Sequence, residues 1–181
     1  MPAVLLLISL EIPSSEGSIS VIIISELSLF TDNSIVSLIT SSGDIFIEGT
    51  GGTSIYETTI TDGIYISDAT IDAQGNLNIE GKGGDGEIVE TSNGVSIATA
   101  TIDSDQNLLI TGVGGDANES VIEARGVEIF QSELTSLDDL TLDGSGGILL
   151  DYISDTSESG ANQGIFLEDN TLIGQNIEII G

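Results

Sequence analysis

The sequence of 181 residues contains no cysteine and no histidine. Thiol nucleophiles, disulfides, the usual zinc ligand sets and imidazole general bases are therefore absent from its chemistry. Most familiar hydrolase active sites depend on one of these groups. Carboxylates are plentiful, but nothing in their spacing singles out one of them. We therefore predict no catalytic residue, no enzymatic activity and no organic cofactor.

Positive charge is almost as scarce. Thirty Asp and Glu residues are balanced only by Lys82 and Arg125, which gives a formal net charge of -28. Binding to a phosphate backbone needs clustered Lys and Arg to replace counterions. Nucleic acid and anionic membranes are therefore excluded as partners. Divalent cations are allowed partners, because they take oxygen ligands.

Long hydrophobic runs are also missing. The opening stretch "MPAVLLLISL" contains no Lys or Arg, is followed by Glu11 and has no small-residue cleavage pattern after it. It is no clear signal peptide, and it is too short to span a membrane. We predict that residues 1–26 form an irregular or incomplete first coil, or a cap. Residues 27–181 are expected to form one repeat domain, a fragment of a longer protein.

Internal repetition is the dominant feature of the sequence. The pattern Gly-x-Gly-Gly recurs at Gly49, Gly81, Gly112 and Gly144, at steps of 32, 31 and 32 residues. A second pattern, a glycine followed by two alternating aliphatic residues, starts at Gly63 and interleaves with the first. A fixed period of this length is typical of repeat architectures such as solenoids.

Each repeat carries three short bursts of alternating aliphatic residues. In one repeat they are Val95 with Ile97, then Ile102, then Leu108 with Ile110. Such alternation between Gly, Asn and Asp predicts short β-strands, and no segment has helical periodicity. Equivalent positions stay aliphatic from repeat to repeat, as a solenoid requires, because each coil buries its inward face against its neighbours. We predict an all-β fold, a parallel β-helix (β-solenoid) of about five to six coils with three short strands per coil.

Variable stretches follow the Gly-x-Gly-Gly patterns. They read "DGEIVETSN", "DANESVIEAR" and "ILLDYISDTSESGANQ". We predict that each protrudes as a surface loop, one per repeat of 31–32 residues. Gly83 and Gly84 stand where such a stretch begins, and we expect them to turn the chain off the coil with a positive φ.

A polar residue precedes the third strand of each repeat. These residues are Asp44, Asn76, Asn107, Asp139 and Asn176. Stacked Asn and Asp side chains at a turn can bond backbone locally and bond the equivalent side chain of the next repeat. The column is therefore predicted to be a structural ladder and not a carboxylate site.

The repeat "GVSIATATIDSDQNLLITGVGG", with its G-[IV]-x-[IL], T-I and N-[LI]-x-[IL]-x-G segments, resembles the repeat region of filamentous-haemagglutinin-type exoproteins of bacterial two-partner secretion. The resemblance covers about residues 27–181. It implies a right-handed β-helix, an extracellular or outer-membrane surface location, and an adhesive or scaffolding role.

We therefore expect a non-catalytic structural or adhesive segment that binds surface carbohydrate or protein through its loops and strand faces. One alternative is a polysaccharide lyase or hydrolase, because parallel β-helices also host such enzymes. Another is a weak calcium-binding solenoid. "GKGGDGEIV" echoes a calcium-binding nonapeptide, and Asp85 and Asp116 would be the candidate ligands.

The last segment, "NIEIIG", matches the third strand of a repeat and carries no polar cap. Uncapped parallel strands leave backbone groups and apolar side chains exposed, and such an edge promotes association. The sequence therefore also predicts end-to-end self-association.

Overall fold

The computed structural model describes residues 11–14, 17–25, 37–52, 58–147 and 162–181. These residues form strands, turns and bends, and they contain no helix, as the sequence predicts. Within these ranges there is accordingly no helix of the length and apolarity that crossing a membrane requires.

The strands are short, mostly of three to seven residues. In chain order they are β1 (Glu11–Ser14), β2 (Gly17–Ser25), β3 (Ser37–Ser41), β4 (Ile45–Thr50), β5 (Thr58–Ile60), β6 (Ile64–Ser67), β7 (Ala69–Ala73), β8 (Leu77–Lys82), β9 (Gly86–Thr91), β10 (Val95–Ala98), β11 (Thr101–Ser104), β12 (Leu108–Val113), β13 (Ala117–Glu123), β14 (Val127–Phe130), β15 (Glu133–Ser136), β16 (Asp139–Ser145), β17 (Ile165–Glu168), β18 (Thr171–Ile173) and β19 (Asn176–Ile180).

Four sheets are built from these strands. The longest has seven strands in the order β1-β2-β4-β8-β12-β16-β19; the others run β18-β15-β11-β7-β3, β17-β14-β10-β6 and β13-β9-β5. All described neighbours are parallel except β1 and β2, which form an antiparallel hairpin. Successive repeats therefore stack so that their strands pair in parallel within four sheets, an arrangement compatible with a β-solenoid.

The register keeps equivalent residues of successive repeats side by side. Leu77, Leu108 and Leu140 are neighbours in the seven-stranded sheet, and Ile102 lies beside Leu134 in the five-stranded sheet. All five side chains are at most 1% exposed. Burying a side chain of this size stabilises a fold by about 1.5 to 3 kcal/mol. These columns join the other inward aliphatics in a single core that runs along the stack.

Two of the predicted surface loops are largely strands. The stretch after Gly84 contains β9 and the stretch after Gly115 contains β13, and these pair in parallel with each other and with β5. The prediction of three strands and a protruding loop per coil is therefore wrong for these repeats, which add a fourth strand. The variable stretch over residues 148–161 lies outside the described residues.

A column of left-handed residues turns the chain between the first and second strands of each repeat. Asp68, Thr99, Gln131 and Asp169 have φ values of 50°, 50°, 47° and 55°. Asp and Asn tolerate this conformation, whereas for the β-branched Thr99 it costs about 1 to 2 kcal/mol. The corner is therefore fixed by its surroundings and not by glycine.

The glycines of the Gly-x-Gly-Gly pattern serve close approach of the backbone. A Cβ at Gly84 would lie 2.0 Å from the Gly52 carbonyl oxygen, and one at Gly83 would lie 2.3 Å from the Ser92 oxygen. Neither glycine has a φ between +20° and +160°, the range that includes the left-handed region. The expected left-handed turn at these positions is therefore wrong, and the absence of a side chain is what the fold requires there.

Candidate functional site

The predicted Asp and Asn ladder lies at the turn before the long-sheet strands. Asn76 donates from its backbone N–H and its Nδ2 to Asp44 Oδ1, at 2.7 and 3.2 Å. Asn107 Nδ2 donates to Asn76 Oδ1 at 2.9 Å, and Asn107 Oδ1 accepts the Asp139 N–H at 3.3 Å. Asn176 Nδ2 donates to Asp139 Oδ1 at 2.6 Å. The five side chains thus bond one repeat to the next.

A second polar column was not anticipated from the sequence. Asp62, Asn93 and Arg125 each precede the glycine before the first strand of their repeats. Asp62 Oδ1 accepts the Asn93 N–H at 2.8 Å, and Asn93 Oδ1 accepts the Arg125 N–H at 2.9 Å. The available signal was the polar residue found before that glycine in each repeat.

Arg125 is the third residue of this column, and only 9% of its side chain is exposed. Its Nη1 pairs with Glu128, and its Nη2 lies 3.2 Å from Glu123 Oε1. The guanidinium carbon stands 4.1 Å from the centre of the Phe166 ring, a favourable cation–π geometry. Arg125 Nε is buried with no hydrogen-bond partner among the described residues. A buried guanidinium needs such pairing to offset its desolvation.

Both carboxylate oxygens of Glu128 are engaged. Oε1 pairs with Arg125, while Oε2 accepts hydrogen bonds from Asn93 Nδ2 at 2.9 Å and Ser96 Oγ at 3.2 Å. Glu128 therefore links its own repeat to the preceding one. These three contacts use most of the roughly four lone-pair positions of the carboxylate.

The first residue of this column, Asp62, has a clearly shifted pKa. Burial, together with smaller contributions from like-charge repulsion by Glu128 and Glu123, raises the pKa of Asp62 to about 6. Hydrogen bonds from the Asn93 N–H and the Thr91 side chain act against this rise in pKa. A carboxyl group with this pKa could act as a general acid near neutral pH. Its Oδ1, however, accepts a hydrogen bond from the backbone N–H of Asn93 in the next repeat. The arrangement therefore suits the joining of two repeats better than proton transfer.

The calcium candidates Asp85 and Asp116 lie one repeat apart. The Asp116 N–H donates to Asp85 Oδ1 at 3.0 Å, which repeats the ladder geometry. Calcium takes six to eight oxygen ligands. In the parts of the chain that the structure describes, no three Asp, Glu, His or Cys side chains are grouped so that they could hold a metal ion. The structure thus brings the two aspartates together without a third acidic ligand from these parts.

A shallow groove crosses the outward face of the seven-stranded sheet. It is lined by Glu48, Gly49, Thr50, Glu80, Gly81, Lys82, Thr111 and Val113, from β4, β8 and β12. The register places Glu48 beside Glu80, with Lys82 between Thr50 and Val113. Hydroxyl, carboxylate and ammonium groups side by side can donate and accept hydrogen bonds. This groove can therefore contact a sugar or a polar protein surface.

Two neighbouring repeats also carry aromatic side chains on their strands. Tyr65 is 54% exposed on β6 of the four-stranded sheet. Phe46 is only partly exposed and belongs to β4 of the seven-stranded sheet. The two rings therefore lie on different sheets and do not form one flat surface.

Comparison with known protein families, with curated proteins and with solved structures finds no match to this chain. Its function must therefore be argued from its residues, its geometry and the resemblance of its repeat pattern.

Proposed function

We propose that the chain is a non-catalytic structural or adhesive segment of a surface or secreted exoprotein of the filamentous-haemagglutinin type. In this proposal the parallel stack is a right-handed β-helix of about five to six coils. The segment holds an extended face in a fixed geometry, and its partner is a carbohydrate or protein at a cell surface.

The observation that carries the proposal is the in-register parallel pairing of equivalent strands over several repeats. Strands β4, β8, β12 and β16 pair without a register shift. Side chains at equivalent positions therefore form straight rows on the outward face, spaced by about 4.8 Å. A rigid face of regular rows suits the binding of a long repetitive ligand, because little ordering is needed on binding.

The hydrogen bonds that several acidic side chains accept also support a role other than catalysis. The carboxylates of Asp44, Asp139 and Glu128 each accept a hydrogen bond from a residue of a neighbouring repeat. Such contacts stabilise the stack and position its faces. The polysaccharide-enzyme alternative would require an acid pair directed at a bound sugar.

Binding to a glycan array, together with a reducing-end assay on the same polysaccharides, tests the proposal. We expect glycan binding without release of new reducing ends or unsaturated products. Thr111→Arg in the groove should abolish binding. Thr135→Arg is the matched control, because Thr135 is a half-exposed outward threonine on a middle strand of another sheet, and it should bind normally.

Product release by the wild-type chain would instead establish the enzyme alternative. If no glycan and no cell-surface protein binds, the adhesive role is wrong. The proposed location is tested by adding protease to intact cells of the source organism: a chain at the surface is cleaved, whereas an internal chain is protected.

A further inference from the structure

A short turn in each repeat joins the three-stranded sheet to the four-stranded sheet. Strands β5, β9 and β13 are followed, after three residues each, by β6, β10 and β14. Each turn is therefore the point where a strand of the three-stranded sheet continues into the coil. We call the three turns together the junction, which consists of residues 61–63, 92–94 and 124–126.

Backbone hydrogen bonds stack the three turns of the junction on one another. Gly63 N–H donates to the Asn93 carbonyl, and Gly94 N–H donates to the Arg125 carbonyl, both at 2.9 Å. The middle residues of the turns are Asp62, Asn93 and Arg125, and the first two accept backbone N–H bonds through their side chains. Asn93 and Arg125 are buried. The junction is therefore a polar seam that excludes water, so a charge within it is poorly screened.

Three carboxylates face one guanidinium at the junction. Glu123 from β13 and Glu128 from β14 both pair with Arg125, and both repel a negative charge on Asp62. Lys82, whose backbone lies against the first turn, is exposed and lines the groove on the seven-stranded sheet. Among the described residues, neither Arg125 nor Lys82 forms an ion pair with Asp62. An ionised Asp62 is therefore an excess negative charge in the seam.

Strand β5 is the shortest strand of the three-stranded sheet. It has three residues and one described neighbour, β9, with which two pairs of residues align. The next residue, Thr61, donates its N–H to the Thr91 carbonyl at 2.9 Å, and its own carbonyl accepts the Gly84 N–H at 2.7 Å. Segments with few contacts open at a lower free energy than the core. The first turn of the junction therefore supplies much of what holds β5 in place.

We propose that the junction is a pH-sensitive hinge, which holds β5 against β9 in acid and loosens it near neutral pH. Opening separates the first turn from the second turn and exposes Asp62 to water. The pKa of Asp62 then returns from about 6 towards 3.8. The free energy of opening is therefore highest below about pH 3.8, and it falls as the pH rises through about 6.

Hydrogen exchange, followed by NMR at about pH 4.5 and about pH 7, tests the hinge at single amides. Protection factors correct for the intrinsic pH dependence of exchange. We expect those of Thr61 and Gly63 to fall at least about tenfold at the higher pH, because the two pKa values differ by more than one unit. The Leu77 amide, which donates to the Asn107 carbonyl at a different turn of the same repeat, is the internal control and should change little.

Two outcomes of this experiment would overturn the proposal. If Thr61 and Gly63 keep their protection at the higher pH, the junction does not open. If Leu77 loses protection by the same factor as they do, the chain opens as a whole and β5 has no hinge of its own.

Two variants locate the responsible group. Asp62→Asn removes the ionisation and keeps an oxygen that can accept the Asn93 N–H, so Thr61 and Gly63 should be equally protected at both pH values. Asp72→Asn is the matched control, because Asp72 is an exposed aspartate on β7 of the same repeat. This control should lose protection at the junction as the wild-type chain does. A tenfold loss that persists in Asp62→Asn would show that another group drives the opening, and the proposal would be wrong.

Discussion

At the scale of single residues, Asp62 couples folding to pH. Burial raises its pKa from 3.8 to about 6 on folding, so the folded chain binds this proton more tightly than the unfolded chain. The free energy of unfolding that this proton contributes is fully present below about pH 3.8 and is lost as the pH rises through about 6. Well above about pH 6 Asp62 is ionised in both states, and the free-energy cost of burying its charge no longer changes with pH.

Asp62→Asn should therefore stabilise the protein at pH 7. Asn keeps an oxygen that can accept the Asn93 N–H, but it carries no charge. We expect a gain of about 1 to 3 kcal/mol, because one pKa unit corresponds to about 1.4 kcal/mol and solvent screens part of the effect. Urea unfolding at pH 4 and pH 7 measures it, and the gain should be small at pH 4. A gain that is equal at both pH values, or equal to that of the exposed control Asp72→Asn, would contradict this account.

Thr99 illustrates strain at the corner. Its φ of 50° is unfavourable for a β-branched residue, although its Oγ1 donates to Asp68 Oδ1 at 2.8 Å. Thr99→Asn should raise the free energy of unfolding by about 0.5 to 1 kcal/mol, because Asn tolerates the left-handed region. The same change at Thr101, in the extended strand β11, should lower it, since Asn is disfavoured in strands. Thermal unfolding of the two variants measures both changes in stability. A destabilised Thr99→Asn variant, or a stabilised Thr101→Asn variant, would contradict this account.

At the scale of secondary-structure elements, the strands are held mainly by their inward columns. Ile102 on β11 is fully buried between Ile71 and Leu134. Ile102→Asp should cost at least about 3 kcal/mol, because it buries an unpaired carboxylate between strands. Val113→Asp, on the outward side of β12, should cost less than about 1 kcal/mol. Equal losses in urea unfolding would mean that the inward face has been assigned to the wrong residues.

Turn elements depend on hydrogen bonds that run along the stack. The ladder from Asp44 to Asp139 and the column from Asp62 to Arg125 both join a side-chain oxygen to the backbone N–H one repeat later. A buried or half-buried turn whose N–H groups lacked partners would be destabilised by about 1 to 3 kcal/mol for each group. These columns therefore fix the register of the turns as the aliphatic columns fix that of the strands.

At the scale of the whole molecule, charge opposes folding. The formal net charge is -28, and the register sets Glu48 beside Glu80 on one face. The melting temperature should therefore rise between about 0.01 M and about 1 M NaCl, over which the Debye length falls from about 30 Å to about 3 Å. Calorimetry of the chain at one fixed protein concentration makes this measurement.

Glu80→Gln provides the matching test. It removes one member of the Glu48 and Glu80 pair, so it should raise the melting temperature more at low salt than at high salt. A melting temperature that does not respond to salt would show that the surface charges are already neutralised by other contacts.

Much of the strand arrangement could be predicted from the sequence, and less of the polar chemistry. The burial of Ile102 and Leu134 followed from aliphatic residues repeated at the same position. Strand β13 was missed, because "ANESVIE" shows little alternation and pairs with β9 through a register irregularity. The left-handed corner was missed because Asp68, Thr99 and Gln131 share no residue type.

The sequence by itself determined the period, the β-strands and the inward columns. These are properties of spacing, and a period of 31 or 32 residues can bury alternating aliphatics only if equivalent strands lie side by side. Only the tertiary structure decided that Arg125 meets Glu123, Glu128 and Phe166, and that Asp62 is buried enough to raise its pKa to about 6. Such contacts depend on which side chains the corners bring together and on how much water they exclude, and neither quantity is encoded in local spacing.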